Sequence, residues 1–153
     1  MRDTEKLTTR YMSRFKTIRF SDSDHIFVVD TVDDMDMGSF LSQRCAEEFT
    51  EMCEHADDIE RLKQFRRDDK DKYKNAEKSG LKRFSYEWNM DDDEGWLKDS
   101  LYEHVSIGPY KDEWKLQQQV IKNELMSPSE IASYDDKITN VLIPKYGKKE
   151  NFN

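Results

Sequence analysis

Phe15-Lys16-Thr17-Ile18-Arg19-Phe20, then Ser21-Asp22-Ser23-Asp24, then His25-Ile26-Phe27-Val28-Val29-Asp30-Thr31-Val32 is the stretch on which the fold class turns. Two runs rich in β-branched and aromatic residues flank four short polar ones. Such side chains fit a pleated, half-buried surface, and the polar tetrapeptide supplies a turn, so a β-hairpin is expected here. The acidic bend Asp33-Asp34-Met35-Asp36-Met37-Gly38 is expected to end that unit, with Ser39 capping a helix after it.

From Leu41 onward the period changes. Leu41, Cys45, Phe49, Met52, Ala56, Ile59 and Leu62 recur at steps of three and four, which is one apolar stripe of one helix. Its other faces carry Glu47, Glu48, Glu51, Glu54, Asp57, Asp58 and Glu60. Arg66 to Lys72 has no apolar face and reads either as a helix extension or as a linker ending at Gly80. Leu81 to Met90 places Phe84, Tyr86 and Trp88 at alternate positions, so a strand near 82–90 is expected to join the N-terminal hairpin in one small sheet. Asp91, Asp92, Asp93 and Glu94 are expected to open a helix carrying Trp96, Leu97, Leu101 and Val105, because acids there complement the helix dipole. A further helix is expected through Tyr110, Trp114, Gln117, Ile121 and Leu125. Ser127-Pro128-Ser129-Glu130 has the pattern of a capping box with Pro at the first helical position, and starts a last helix through Leu142. No internal repeat is legible. The expected architecture is α+β: one mostly helical domain over residues 1–144 with a small antiparallel sheet, and a polar tail over 145–153.

Composition allows a fold but a lean core. Leu, Ile, Val and Phe make up 31 of 153 residues, and charged residues 38%. Cys45 and Cys53 would lie about 12 Å apart along one helix, too far for a disulfide; they are expected as free thiols in a reducing, cytoplasmic setting. There is no apolar stretch of membrane-spanning length, so no membrane partner is expected.

Charge is segregated. The net formal charge is +4 over residues 1–20, −12 over 21–60, +6 over 61–86, −7 over 87–113 and +1 over 114–153. Strong blocks of one sign speak to partners rather than to fold.

Tests for chemistry fail on spacing. Neither Asp34–Gly38 nor Asp91–Gly95 supplies the ligand positions of a calcium loop. His25, His55 and His104 have no zinc spacing with each other or with the cysteines. His104-Val105-Ser106 lacks the second His-x-Ser/Thr of a two-histidine phosphoesterase. Glu113-Trp114-Lys115 falls in an expected helix, where a nuclease Glu-x-Lys would need a strand. Ser127–Leu142 lacks the turn glycine and basic recognition helix of a helix-turn-helix. No phosphate loop or nucleophile elbow is present. No cofactor, metal or catalytic residue is therefore assigned.

The charge blocks give three functional expectations. The first is a non-enzymatic interaction protein, such as a phage or viral accessory factor. It would dock Glu47, Glu48, Glu51, Glu54, Asp57, Asp58 and Asp91–Glu94 on a protein with a basic surface. That partner would be a nucleic-acid-processing enzyme whose channel it blocks, or a component it helps assemble. Ranked below it is direct nucleic-acid binding through Arg66, Arg67, Lys70, Lys72 and Lys74, where basic and aromatic residues interleave. The third is a metal-dependent hydrolase whose carboxylates meet only on folding. Against all three stands the ordinary role of charge runs as solvated faces.

Overall fold

The computed structural model describes residues 13–78, 82–103 and 105–142. The expectations for the basic N-terminus before Ser13, for Gly80, Leu81 and His104, and for the tail over 145–153 lie outside them. The chain divides between Arg67 and Asp68 into two compact units, and the fold class is α+β.

The first unit has three strands, β1 (Phe15–Arg19), β2 (Ile26–Asp30) and β3 (Met35–Phe40), in an antiparallel sheet of that order. Helix α1 (Gln43–Glu54) follows, and then α2 (Ile59–Lys78), which begins in this unit and runs on past the boundary. The expected hairpin is present, with Phe15 opposite Asp30 and Arg19 opposite Ile26. The acidic bend is not the end of the unit. Only Thr31–Asp34 turn, with Asp34 left-handed at φ 51°, and Met35–Phe40 form the third strand. Gly38 is suited to that strand because a Cβ there would stand 3.0 Å from the Phe40 ring and 3.3 Å from the Phe49 ring. The helix cap moves accordingly: Ser42, not Ser39, accepts from the Cys45 N–H.

The stripe from Leu41 to Leu62 belongs to two helices. α1 ends at Glu54, where the His55 N–H bonds back to Glu51, and Asp58 caps the restart by accepting from the Arg61 N–H at 3.1 Å. The apolar rows stay in phase across the break, which is why the sequence reads as one helix. α1 buries Cys45, Ala46, Phe49 and Cys53; both cysteines are free thiols. Residues 66–78 are helical.

The second unit has β4 (Phe84–Asn89), β5 (Glu94–Asp99) and β6 (Ser106–Tyr110) in a separate antiparallel sheet of that order. They are followed by α3 (Glu113–Glu124) and α4 (Pro128–Lys137), which passes into a π-turn over Ile138–Leu142. The strand expected near 82–90 is present, but its partner is β5 rather than the N-terminal hairpin. The helix expected from Asp91 is overturned. Asn89 accepts from the N–H groups of Asp91 and Asp92, Asp93 turns left-handed at φ 52°, and a strand begins at Glu94. The steps of three and four through Leu97, Leu101 and Val105 mislead here, because Gly95, Leu97 and Asp99 are the buried set and they alternate. The capping box at Ser127 and Glu130 is present, with Pro128 in the first turn.

The two units repeat one plan: three antiparallel strands, then two helices. Corresponding residues recur after an offset of 69 or 70. Phe15 faces Asp30 as Phe84 faces Asp99. Arg14 forks onto Asp30 with two bonds of 2.8 Å, and Arg83 onto Asp99 with the same two distances. Glu54 accepts the Phe15 N–H at 2.7 Å, and Glu124 accepts the Phe84 N–H. Ser42 and Asp112 cap the first helix of each unit.

Each fork continues into a helix. In the first unit Lys63, 2% exposed, brings its ammonium 3.0 Å from Asp30 and also contacts Asp33. In the second, Arg83 reaches Asp135 of α4 at 2.7 Å. Burial alone would raise the Asp30 carboxyl; hydrogen bonds from Arg14, Lys63 and the Val32 N–H outweigh it and hold the pKa at about 2. A lowered carboxyl contributes stability above its unfolded pKa and loses it as pH falls through the folded one. Between about pH 4 and pH 2 the wild type should lose about 2 kcal/mol from this group. Asp30→Asn should cost about 3 kcal/mol at neutral pH, because it leaves Lys63 buried with its charge poorly matched, and should flatten the acid limb. Urea titrations of both proteins across that range check it.

Gly95 makes a second sharp prediction. A Cβ there would lie 2.4 Å from Trp88 Cε3 and 2.6 Å from Leu116 Cδ2, so a ring and a core leucine must both move. Gly95→Ala should cost about 2 to 3 kcal/mol, measured as a lower urea midpoint, with altered emission from Trp88.

Candidate docking groove

β1 is an edge strand: it pairs with β2 and with no other described strand. The Thr31 N–H donates to the Arg14 carbonyl, so the backbone of Arg14 points inward to β2. Backbone direction alternates along an antiparallel strand. Phe15, Thr17 and Arg19 therefore present their N–H and C=O outward. At Phe15 the outward N–H is closed by the Glu54 carboxylate. Beyond it the outward groups of Thr17 and Arg19 form an open edge among the described residues.

α1 lies against this strand and walls a groove of about 480 Å³ along it. Its lining is Ser13, Phe15, Lys16 and Thr17 from the β1 side, and Glu47, Thr50 and Glu51 from α1. The helical residues are one flank at steps of three and four, beside the buried row.

The second unit has the matching edge strand, β4, with different side chains on it. Tyr86 stands where Thr17 does, opposite Leu97 as Thr17 is opposite Val28. Its hydroxyl donates to Glu113 at 2.7 Å and accepts from Gln117 at 3.1 Å. Gln117 corresponds to Glu47, and Glu113, fully buried, to Gln43. Burial, and then the Glu113 carboxylate, push the Tyr86 phenol far above its usual value, so it stays a donor. Trp88, which corresponds to Arg19, covers Gly95. In the first unit Arg19 instead donates to Gln43 at 3.3 Å. Two aromatic side chains thus fill the second unit, while Thr17 and Arg19 leave the first open.

The acidic residues expected to bind a partner separate into groups. Glu47, Glu48, Glu51 and Asp57 are exposed, with Glu47 held by Gln43, Glu48 by Arg44 and Glu51 by His55. Glu54 and Asp58 serve the backbone, as an edge cap and a helix cap. Asp91 and Asp92 are exposed in the β4–β5 turn, Asp93 accepts from the Trp88 indole, and Glu94 pairs with Lys111. The acidic residues that line the groove are thus Glu47 and Glu51, with Glu48 exposed further round α1.

The basic segment is partly structural. Arg66 forks onto Asp36 at 3.0 and 2.9 Å, and Arg67 donates to Gln64. Lys70, Lys72 and Lys74 are exposed on α2, where the helical period puts Lys72 on the side away from Lys70 and Lys74. His25 shares a hydrogen bond with Ser39 and His55 with Glu51. Burial pushes the Cys53 thiol up to about 12, which keeps it protonated and unreactive at neutral pH. Among the described residues no three His, Cys, Asp or Glu side chains gather to hold a metal ion. No helix among them is long and apolar enough to cross a membrane.

Comparison with protein-family models, curated proteins and solved structures finds no match to this chain.

The groove itself was not legible in the sequence. The only signal was the contrast of Thr17 with Tyr86, and it has meaning only once the two units are aligned. The role of Glu54 is directly testable. Glu54→Gln keeps the shape but weakens the acceptor, so the Phe15 amide should exchange with solvent about tenfold faster in hydrogen-exchange NMR. Amides of β2 should be little changed.

Proposed function

We propose that this chain is a non-enzymatic interaction protein whose first unit receives a basic segment of a partner protein on the α1–β1 face. The observation that carries the reading is the groove of about 480 Å³ walled by Glu47 and Glu51. Its acidic wall favours cations and disfavours anionic segments, and rim charges of this kind govern encounter and selectivity more than raw affinity. The reading is framed on α1 and β1 rather than on a ridge from Glu47 to Glu60, because the break at His55–Asp58 divides that ridge and Glu54 and Asp58 serve the backbone. A nucleic-acid-processing enzyme with a basic channel is one partner that offers such a segment.

The triple variant Glu47→Lys/Glu48→Lys/Glu51→Lys tests it. These side chains are exposed, so the variant should melt within about 1 kcal/mol of the wild type. In nuclease-treated lysate the wild type should retain basic proteins that elute by about 0.5 M salt, where screening is strong, and the variant should lose them. Retention of the same proteins by both would remove the reading.

A further inference from the structure

We infer that the partner segment binds by strand addition: a basic, extended peptide pairs with the open edge of β1 and places a lysine or arginine side chain in the groove. The inference rests on the acidic-face reading and specifies its mode.

Three observations support it. The first is the backbone. β1 offers outward N–H and C=O groups at Thr17 and Arg19, and an added strand satisfies groups of this kind by main-chain hydrogen bonds. Glu54 occupies the first outward donor, so pairing starts at Thr17 rather than at Phe15. The second is the internal comparison. In the second unit the matching space is filled by a side chain from its own edge strand, and the Tyr86 hydroxyl donates its proton to α3. In the first unit Gln43, which matches Glu113, accepts from Arg19 of the same strand, and Thr17 takes the place of Tyr86, so the groove beside Glu47 and Glu51 is left to a side chain from outside. The third is charge. Glu47 and Glu51 are the acceptors on the wall, with Thr50 between them. They outnumber Lys16, the one cation in the lining, so a basic side chain matches the groove and an acidic one does not. Side chains of an added strand alternate, so basic residues at alternate positions enter the groove while the intervening ones lie over the opposite face of the sheet. A β-branched residue suits those intervening positions.

The probe is a capped octapeptide of alternating lysine and valine, titrated into the full-length protein and read by fluorescence anisotropy and by amide NMR shifts. Binding should move the Thr17 and Arg19 amides most. Replacing its lysines by glutamates should weaken binding at least tenfold, and so should methylating the backbone nitrogens that face β1. Thr17→Tyr, which copies the filling seen at Tyr86, should do the same, while Thr17→Val leaves the groove open and should bind as the wild type does. Absence of binding at about millimolar peptide, or shifts confined to residues away from β1, would overturn the inference. So would pairing of β1 with a second copy of the chain, seen as a concentration-dependent mass that the peptide does not disperse. The two readings fail differently. If the triple lysine variant loses the peptide but N-methylation and Thr17→Tyr leave affinity unchanged, the acidic face stands and strand addition falls. If N-methylation abolishes binding and the charge reversal does not, the edge binds strands but the preference for a basic partner falls.

Discussion

Each unit is organised around one buried carboxylate at the end of its second strand. Asp30 is fully buried and Asp99 nearly so. Each is held by an arginine that immediately precedes the first strand, through two parallel bonds. A buried ion pair adds little net stability against a well-packed apolar pair, because desolvation offsets the attraction. Its effect here is on geometry. A slip of one residue between the first two strands would turn the core face outward, and it would also strand a buried charge. The fork therefore opposes the one error that a short two-faced hairpin makes most easily. The same carboxylate reaches onward, Asp30 to Lys63 of α2 and Arg83 beyond Asp99 to Asp135 of α4. Register of the sheet and placement of a helix are thereby set by a single contact group.

That group also explains why the repeat is hidden in the sequence. What recurs is a set of roles at fixed offsets, and few roles demand one residue type. The fork requires Arg and Asp, and these are kept. The edge cap requires a carboxylate of Glu length, and Glu54 and Glu124 are kept. The helix cap accepts any short oxygen-bearing side chain, so Ser42 is matched by Asp112. Core positions require only that facing volumes add up. Ile26 is matched by Gly95 because Trp88 stands opposite Gly95 where Arg19 stands opposite Ile26. The buried apolar bulk comes from the second strand at Ile26 in one unit and from the first strand at Trp88 in the other, so compared position by position the two halves look unrelated.

What the sequence did show follows the same division between local and distant causes. The β1–β2 hairpin, strand β4 and the Ser127 capping box are each specified by neighbours within a few residues, and each is present. The region from Asp91 to Tyr110 was misread because Trp96, Leu97, Leu101 and Val105 satisfy a helical spacing. The decisive fact is that Asp99 is a buried residue, and it is buried because Arg83 lies across the sheet from it. Charged residues are scored as exposed in any periodicity argument, so a buried one removes a member from the true pattern and leaves the false one intact. The single helix read from Leu41 to Leu62 failed for a related reason. Asp58 looked like one more acid on a solvated face, whereas it is the cap of a new helix.

The difference between the two units bears on how an open edge is tolerated at all. An unpaired strand edge invites association with any other strand, including a second copy. The second unit turns its own aromatic residues inward beside its edge. The first unit gains no such filling and instead surrounds its edge with charge: Lys16 and Arg19 on the strand, Glu47 and Glu51 on the helix, and Glu54 closing the first donor. Charges of both signs at an edge make unselected strands costly to bind, because each ion left without a partner must be desolvated. They cost little only for a strand whose own charges match. On the proposed reading, the same charges that guard the edge against apolar strands would set the terms on which a matching one is admitted.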